Sequence, residues 1–173
     1  MILLSVSKTM SYAKMLFDRI VSEHKNSTMY WQQTWAYQVG YDRKDETPIL
    51  DVESQTKTYE TIKKVSQGVS KENKVNLIPS GDAWQIARAD ERVGDNLCAR
   101  LGINGDLGDF YHDGDIGGGQ YLNACVWYEV LTGKSCVGNS WRPTYELSEE
   151  KITVLQEAAH AAVAAVYGPG YAK

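Results

Sequence analysis

The sequence predicts an α/β fold in which amphipathic helices alternate with short parallel strands. Several segments carry apolar residues at helical spacing, and aromatic or β-branched runs lie between them. Strands separated by helices favour parallel pairing in one layer. Only two clear strands can be recognised, and a two-stranded sheet is not a stable domain on its own. Either further strands escape recognition, or they lie outside this chain.

The size and charge of the chain restrict its class. A length of 173 residues predicts a single domain. The net charge of −4 provides no basic surface to neutralise phosphates, which argues against nucleic-acid binding. No run approaches the roughly 18 apolar residues of a membrane span, and the N-terminus carries no recognisable signal peptide. The oligomeric state is left open.

The first half of the chain reads as two helices, two strands and a third, shorter helix. Apolar spacing predicts helices over residues 7–24 and 54–73, and strand composition marks residues 28–37 and 75–79. A turn at residues 80–82 then leads into a helix over residues 83–89. We expect the two strands to pair in parallel because a helix connects them.

The second half begins with a loop and ends in two helices. Residues 102–119 contain seven glycines and several aspartates, a composition typical of loops. A helix over residues 120–132 is expected to end at Gly133 as its C′ residue. Ser148, followed by two glutamates, predicts the N-cap of a last helix within residues 146–170.

The glycine-rich loop holds a candidate acid/base pair, Asp109 and His112. An imidazole acting as a general base needs a partner on its other ring nitrogen, and a bent loop lets an Asp three residues earlier fill that role. The alternative is an exposed histidine on a surface loop. Asp113 and Asp115 have the start of a calcium-loop pattern but lack its closing glutamate, so no metal is predicted.

The first strand carries a candidate substrate wall. Strand alternation puts Gln33, Trp35 and Tyr37 on one face, near the carboxyl end where parallel sheets bind ligands. Trp35 or Tyr37 could stack on a sugar ring. A buried aromatic strand explains the same pattern equally well, and both interpretations stay open.

The cysteines and the other histidines point to structure rather than to a cofactor. Cys98, Cys125 and Cys136 form no Cys-x-x-Cys pattern, so zinc is not expected, although one disulfide among them stays possible. Cys125 lies in an apolar helix and fits a core position. His24 and His160 are expected to be structural or solvated. No cofactor is predicted.

Three motifs together resemble the C-terminal half of SGNH hydrolases, also called GDSL-type esterases. They are Trp-Gln-Gln-Thr-Trp-Ala-Tyr at residues 31–37, Leu-Ile-Pro-Ser-Gly-Asp-Ala-Trp at residues 77–84, and the Asp-x-x-His loop with the helix after it. The resemblance covers roughly residues 7–138. It implies a flavodoxin-like three-layer α/β/α sandwich with a parallel sheet of about five strands. It also implies a serine esterase acting on acyl, especially O-acetyl, esters of carbohydrates, in which His112 is the general base and Asp109 orients it.

The chain departs from that family in lacking a Gly-Asp-Ser or Gly-Asn-Ser nucleophile block at a first strand. Its Gly-Asn-Ser at residues 138–140 follows the helix after His112 and is interpreted as accidental. We therefore expect one SGNH-like domain over residues 1–173 without its N-terminal strands, carrying the Asp/His half of a triad and inactive by itself. An intact relative is expected to be secreted or periplasmic.

Two other functions fit the same residues. The chain could be a non-catalytic carbohydrate-binding or interaction module that keeps the aromatic cleft. It could also pair with a separately encoded first half through an open sheet edge.

Overall fold

The computed structural model describes residues 6–39, 49, 51–92, 118–143 and 147–173. Five helices and two short strands form within these ranges. In chain order they are α1 (Val6–Glu23), β1 (Tyr30–Gln32), α2 (Val52–Asn73), β2 (Asn76–Ile78), α3 (Ser80–Ala89), α4 (Gly119–Thr132) and α5 (Glu149–Tyr167).

The two strands pair in parallel, as predicted. Tyr30 lies opposite Asn76, and Gln32 lies opposite Ile78. α2 is the helix that connects them, because it ends at Asn73 just before β2 begins. Lys74 follows α2 in the left-handed conformation, with φ of 53°, and turns the chain into the strand.

Successive residues of β1 face two separate apolar clusters. Trp31 packs on the cluster of α1 and α2, which contains Ala13, Phe17, Val69 and Val75. Tyr30 packs on the larger cluster formed by α3, α4 and α5, whose most deeply buried side chains include Trp84, Leu122, Val126 and Leu155. Since successive side chains of a strand point to opposite faces, helices cover both sides of this short sheet.

The predicted three-layer α/β/α sandwich is wrong for the part of the chain that the structure describes. That part is mostly helical, and its sheet consists of two strands of three residues each. The larger cluster is built chiefly from helix contacts of α5 with α3 and α4. A pair of such short strands is too small to form a middle layer, so the helices bury most of the apolar surface against one another.

The strand predicted over residues 28–37 was too long. Regular pairing ends after Gln32, because the backbone carbonyl of Gln33 accepts a hydrogen bond from Gly81 N at 3.2 Å, at the start of α3. α3 itself begins at Ser80, three residues earlier than predicted. The Ser-Gly-Asp sequence read as a turn therefore forms the first helical turn.

Helix ends follow the capping residues closely. Asp51 caps α2 by accepting a hydrogen bond from Ser54 N at 2.7 Å, and Ser148 caps α5 by accepting one from Lys151 N at 3.2 Å. Gly133 ends α4 with φ of 65°, which confirms it as the predicted C′ glycine. No helix among the described residues is long and apolar enough to span a membrane.

The residues after α5 are fixed against the end of α4. Lys173 N donates to Gly133 O at 3.2 Å, and Ser135 N donates to Lys173 O at 3.1 Å. Tyr171 Oη donates to Val130 O at 2.7 Å. These bonds hold the last two helices together at the end remote from the start of α4.

Candidate functional site at the carboxyl end of the strands

The carboxyl ends of β1 and β2 meet the start of α3. Gln33 follows β1 directly, and Pro79 separates β2 from Ser80, the first residue of α3. Ligands of open parallel sheets bind beyond this edge, where loops and helix N-termini converge. The candidate site is therefore built from the residues that follow these two strands.

Gln33 is buried and binds Asp82 rather than facing a cleft. Gln33 Nε2 donates to Asp82 Oδ1 at 2.8 Å, and Asp82 N donates to Gln33 Oε1 at 3.1 Å. Both ends of the amide are thus used inside the protein, where its exposed fraction is 0%. Gln33, predicted to line a substrate wall, joins β1 to the first turn of α3.

Asp82 also binds two residues of α2. Tyr59 Oη donates to Asp82 Oδ1 at 2.9 Å, and Lys63 Nζ lies 3.1 Å from Asp82 Oδ2. Burial raises the pKa of Tyr59 and is the largest contribution. Burial opposes the charge on Lys63, but hydrogen bonds to Tyr59 and Asp82 outweigh it and raise the pKa of that amine. This group thus holds β1, α2 and α3 together.

Trp35 stacks on Trp84 of α3. The ring centroids lie 4.6 Å apart and the planes differ by 3°. Trp35 keeps partial exposure, whereas Trp84 is fully buried with the Arg88 guanidinium 5.0 Å from its ring centroid. Trp35 therefore packs on the core and keeps part of its surface exposed, which is compatible with both interpretations offered for it.

Tyr37 belongs to a different cluster from Trp35. It packs on Val39 and Ile49, a small apolar group outside the two main clusters. The three residues predicted to share one wall therefore have different surroundings. Gln33 binds Asp82 inside the protein, Trp35 stacks on Trp84, and Tyr37 packs on the peripheral apolar group. The alternation rule fails here because the chain leaves the strand conformation after Gln32.

The start of α4 rests on the same tryptophan. Trp84 Nε1 donates to Asn123 Oδ1 at 3.1 Å. A Cβ on Gly119 would lie 2.4 Å from the Trp84 ring, so a glycine is required for this approach. α4 thus begins beside the Trp35–Trp84 stack.

The candidate acid/base pair lies outside the described residues. Asp109 and His112 belong to the segment 93–117, as do Cys98, Asp113, Asp115 and the first of the three glycines at 117–119. The described chain resumes at Gly118, seven residues before Cys125 and one residue before α4. Of this glycine-rich segment, the structure describes only the end, where Gly119 lies against the Trp84 ring.

A buried carboxylate that the sequence did not single out lies between α4 and α5. Glu129 has an exposed fraction of 0% and accepts hydrogen bonds from Cys136 N at 2.8 Å and from the ring of His160, whose Nδ1 lies 3.1 Å away. His160 therefore has a structural partner. The sequence feature that could have identified this buried carboxylate is that Glu129 is the single charged residue in the largely apolar sequence of α4.

The described cysteines form no disulfide and no metal cluster. Cys125 and Cys136 are both free and buried, and Cys125 occupies the core position predicted for it. Within the described ranges, no three His, Cys, Asp or Glu side chains lie close enough to hold a metal ion.

Comparison with protein families finds a match over most of the chain. The family described as a domain of unknown function (DUF4886) matches residues 5–162. Comparisons with curated proteins and with solved structures find no match.

Proposed function

The chain belongs to the DUF4886 family, and we propose that it contributes to an ester hydrolase of SGNH type. The proposed substrates are acyl esters of carbohydrates, in particular O-acetyl esters. The motifs at residues 31–37, 77–84 and 109–133 support this proposal by their resemblance to that superfamily.

The observation that carries the proposal is the position of the start of α4. Gly119 and Asn123 contact Trp84, which stacks on Trp35 just beyond the carboxyl end of β1. His112 precedes Gly119 by seven residues, which limits their Cα separation to about 25 Å. The Asp-x-x-His motif thus precedes, in sequence, a helix whose start lies near the edge where a parallel sheet binds ligands, and this supports the proposal.

In the proposed reaction, His112 takes the proton of a serine hydroxyl as its oxygen attacks the ester carbonyl. Asp109 holds the imidazole in the required tautomer and stabilises its protonated form. His112 then returns the proton to the leaving sugar hydroxyl, and water releases the acyl group in a second cycle. Trp35 is partly exposed, and in this proposal its ring is the surface on which a sugar ring stacks.

The test uses the longest natural polypeptide that contains these 173 residues. We expect it to hydrolyse 4-nitrophenyl acetate and acetylated xylo-oligosaccharides and to be labelled by a fluorophosphonate. His112→Ala should lower the rate of ester hydrolysis by about 10⁴-fold or more, as expected for a triad base. His24→Ala is the matched control, because His24 is exposed next to the end of α1.

Two results would reject the hydrolase. One is a folded polypeptide that neither hydrolyses these esters nor reacts with the fluorophosphonate. The other is hydrolysis that survives His112→Ala.

The second candidate function is a non-catalytic carbohydrate-binding module. Trp35, which is partly exposed and stacks on Trp84, is the observation in its favour. This function predicts binding of an oligosaccharide without turnover. Trp35→Ala should abolish that binding, whereas His112→Ala should leave it unchanged.

A further inference from the structure

A cleft of about 340 Å³ lies on α4 and the connector that follows it. α4 contributes Tyr121, Ala124, Cys125 and Tyr128, and the connector contributes Cys136 and Trp141. The volume falls within the range of about 300–1,000 Å³ that small-molecule pockets occupy. The α4 residues fall within the motif at residues 109–133, but neither Trp35 nor Trp84 lines the cleft.

The cleft and the candidate hydrolase site lie on opposite sides of α4. Gly119 and Asn123 face Trp84. Because successive residues of an α-helix are turned by about 100°, the mean direction of the α4 residues that line the cleft points roughly half a revolution away from Trp84. A ligand in the cleft therefore does not meet the Trp35–Trp84 stack. The cleft is a separate site.

The lining is neutral and largely apolar. No charged side chain lines the cleft, and its sulfur atoms come from two buried cysteines. The adjacent Cys125 thiol and burial both raise the pKa of Cys136 well above its usual range, so its thiol is uncharged at neutral pH. An ionic ligand would lose its hydration here without gaining a counter-charge.

Two aromatic rings form a preorganised wall. Tyr121 and Trp141 stack with centroids 5.7 Å apart and planes 11° from parallel. Gln156 Nε2 donates to Tyr121 Oη at 2.8 Å and fixes that ring from behind. Trp141 is 59% exposed, although it belongs to this stack, and a ligand that covered it would remove apolar surface from water.

We propose that this cleft binds a neutral small molecule containing an aromatic ring. A flat ring can contact the Trp141 and Tyr128 rings that line the cleft, and such aromatic contacts add to the burial of apolar area. Thiol sulfur atoms also contact aromatic edges favourably. This proposal does not depend on the hydrolase activity.

The test measures binding of indole, a neutral bicyclic ring, by calorimetry. We expect a Kd on the order of 0.1–1 mM for a ligand of this size. Ala124→Trp should fill the cleft and weaken binding by about tenfold or more, because Ala124 is an exposed lining residue. Ala161→Trp, at an exposed alanine of α5 outside the cleft, is the matched control and should bind as the parent does.

Two further measurements test the proposal without relying on correct folding of the Ala124→Trp variant. Trp141→Ala removes an exposed wall and should also weaken binding of indole. Saturating indole should slow alkylation of Cys125 and Cys136 by iodoacetamide, followed peptide by peptide.

Three outcomes would overturn the proposal. They are no detectable binding of indole, binding that Ala124→Trp and Ala161→Trp affect equally, and binding of cyclohexanol as tight as that of indole.

Discussion

Gln33 and Asp82 bind each other through two reciprocal hydrogen bonds, of 2.8 Å from Gln33 Nε2 to Asp82 Oδ1 and 3.1 Å from Asp82 N to Gln33 Oε1. The pair joins the end of β1 to the first turn of α3. Asp82 lies near the N-terminus of that helix, where a carboxylate is favoured by the helix dipole. Trp35 lies two residues after Gln33, so the pair also restricts where the chain carrying Trp35 can lie.

We predict that Gln33→Ala destabilises the protein by about 3 kcal/mol. The substitution leaves Asp82 N without its acceptor and opens a cavity at a fully buried position. Urea denaturation followed by circular dichroism measures the loss. The neighbouring glutamine is the control, since Gln32 is half-buried and its side chain makes one long bond of 3.4 Å to Ser80. Equal losses for Gln32→Ala and Gln33→Ala would contradict the role assigned to the pair.

We predict that Gly119→Ala displaces the start of α4. The added methyl group would lie 2.4 Å from the Trp84 ring, and overpacking of this kind costs about 2 kcal/mol. Unfolding free energy and tryptophan fluorescence should both change. Gly170→Ala is the matched control because nothing lies within 4 Å of the position of its Cβ. A Gly119→Ala variant as stable as the parent would contradict the prediction, because it would show that the Trp84 ring moves aside at little cost in free energy.

We predict that Glu129→Ala is among the costly substitutions between α4 and α5. It removes the acceptor of Cys136 N and leaves the His160 ring without its carboxylate partner, a loss of about 3 kcal/mol. Glu129→Gln should cost less, because its amide oxygen can still accept from Cys136 N. Thermal and urea unfolding of both variants, beside the exposed Glu60→Ala, provide the measurement. Similar values for Glu129→Ala and Glu60→Ala would be inconsistent with this contact.

We predict that part of the stability is lost between pH 10 and pH 12 through Tyr167. Burial, and after it the neighbouring Tyr171, raises the pKa of Tyr167 to about 12, and its hydroxyl donates to Leu77 O at 2.6 Å. The unfolded chain loses this proton near pH 10 while the folded protein keeps it, so the contribution is complete below pH 10 and falls as pH rises towards 12.

The pH dependence is measured by urea denaturation from pH 8 to pH 12. Tyr167→Phe should lower stability at pH 8 by about 1 kcal/mol, the typical value of one hydrogen bond, and should flatten the alkaline decline. Tyr12→Phe is the control, since Tyr12 is 59% exposed. An alkaline decline of the same size in both variants would exclude Tyr167 as its source.

Much of the local structure could be predicted from residue patterns. The apolar spacing located α1, α2 and α5 to within a few residues, and Ser148 and Gly133 marked helix ends as their chemistry requires. The parallel order of β1 and β2 followed from the helix between them. Each of these inferences depends on backbone preferences over one or two turns.

The fold class could not be predicted in the same way. Aromatic and β-branched residues at 28–37 indicated a strand running into a loop, but only Tyr30–Gln32 forms a strand. Strand propensity describes how well a side chain fits a half-buried pleated surface, and whether such a surface exists depends on the neighbouring elements. Here the N–H of Gln33 still donates to Ile78 O, but its carbonyl and its side chain bind α3.

By itself, the sequence determined the helix ends to within a few residues, the apolar faces of the helices, and that Asp109 and His112 lie three residues apart. Only the tertiary structure decided that Gln33 meets Asp82, that Trp35 stacks on Trp84 and that Glu129 holds His160. The partners in these pairs are 49, 49 and 31 residues apart. Periodicity reports local backbone geometry, whereas contacts between distant residues arise from the packing of whole elements, which no local pattern encodes.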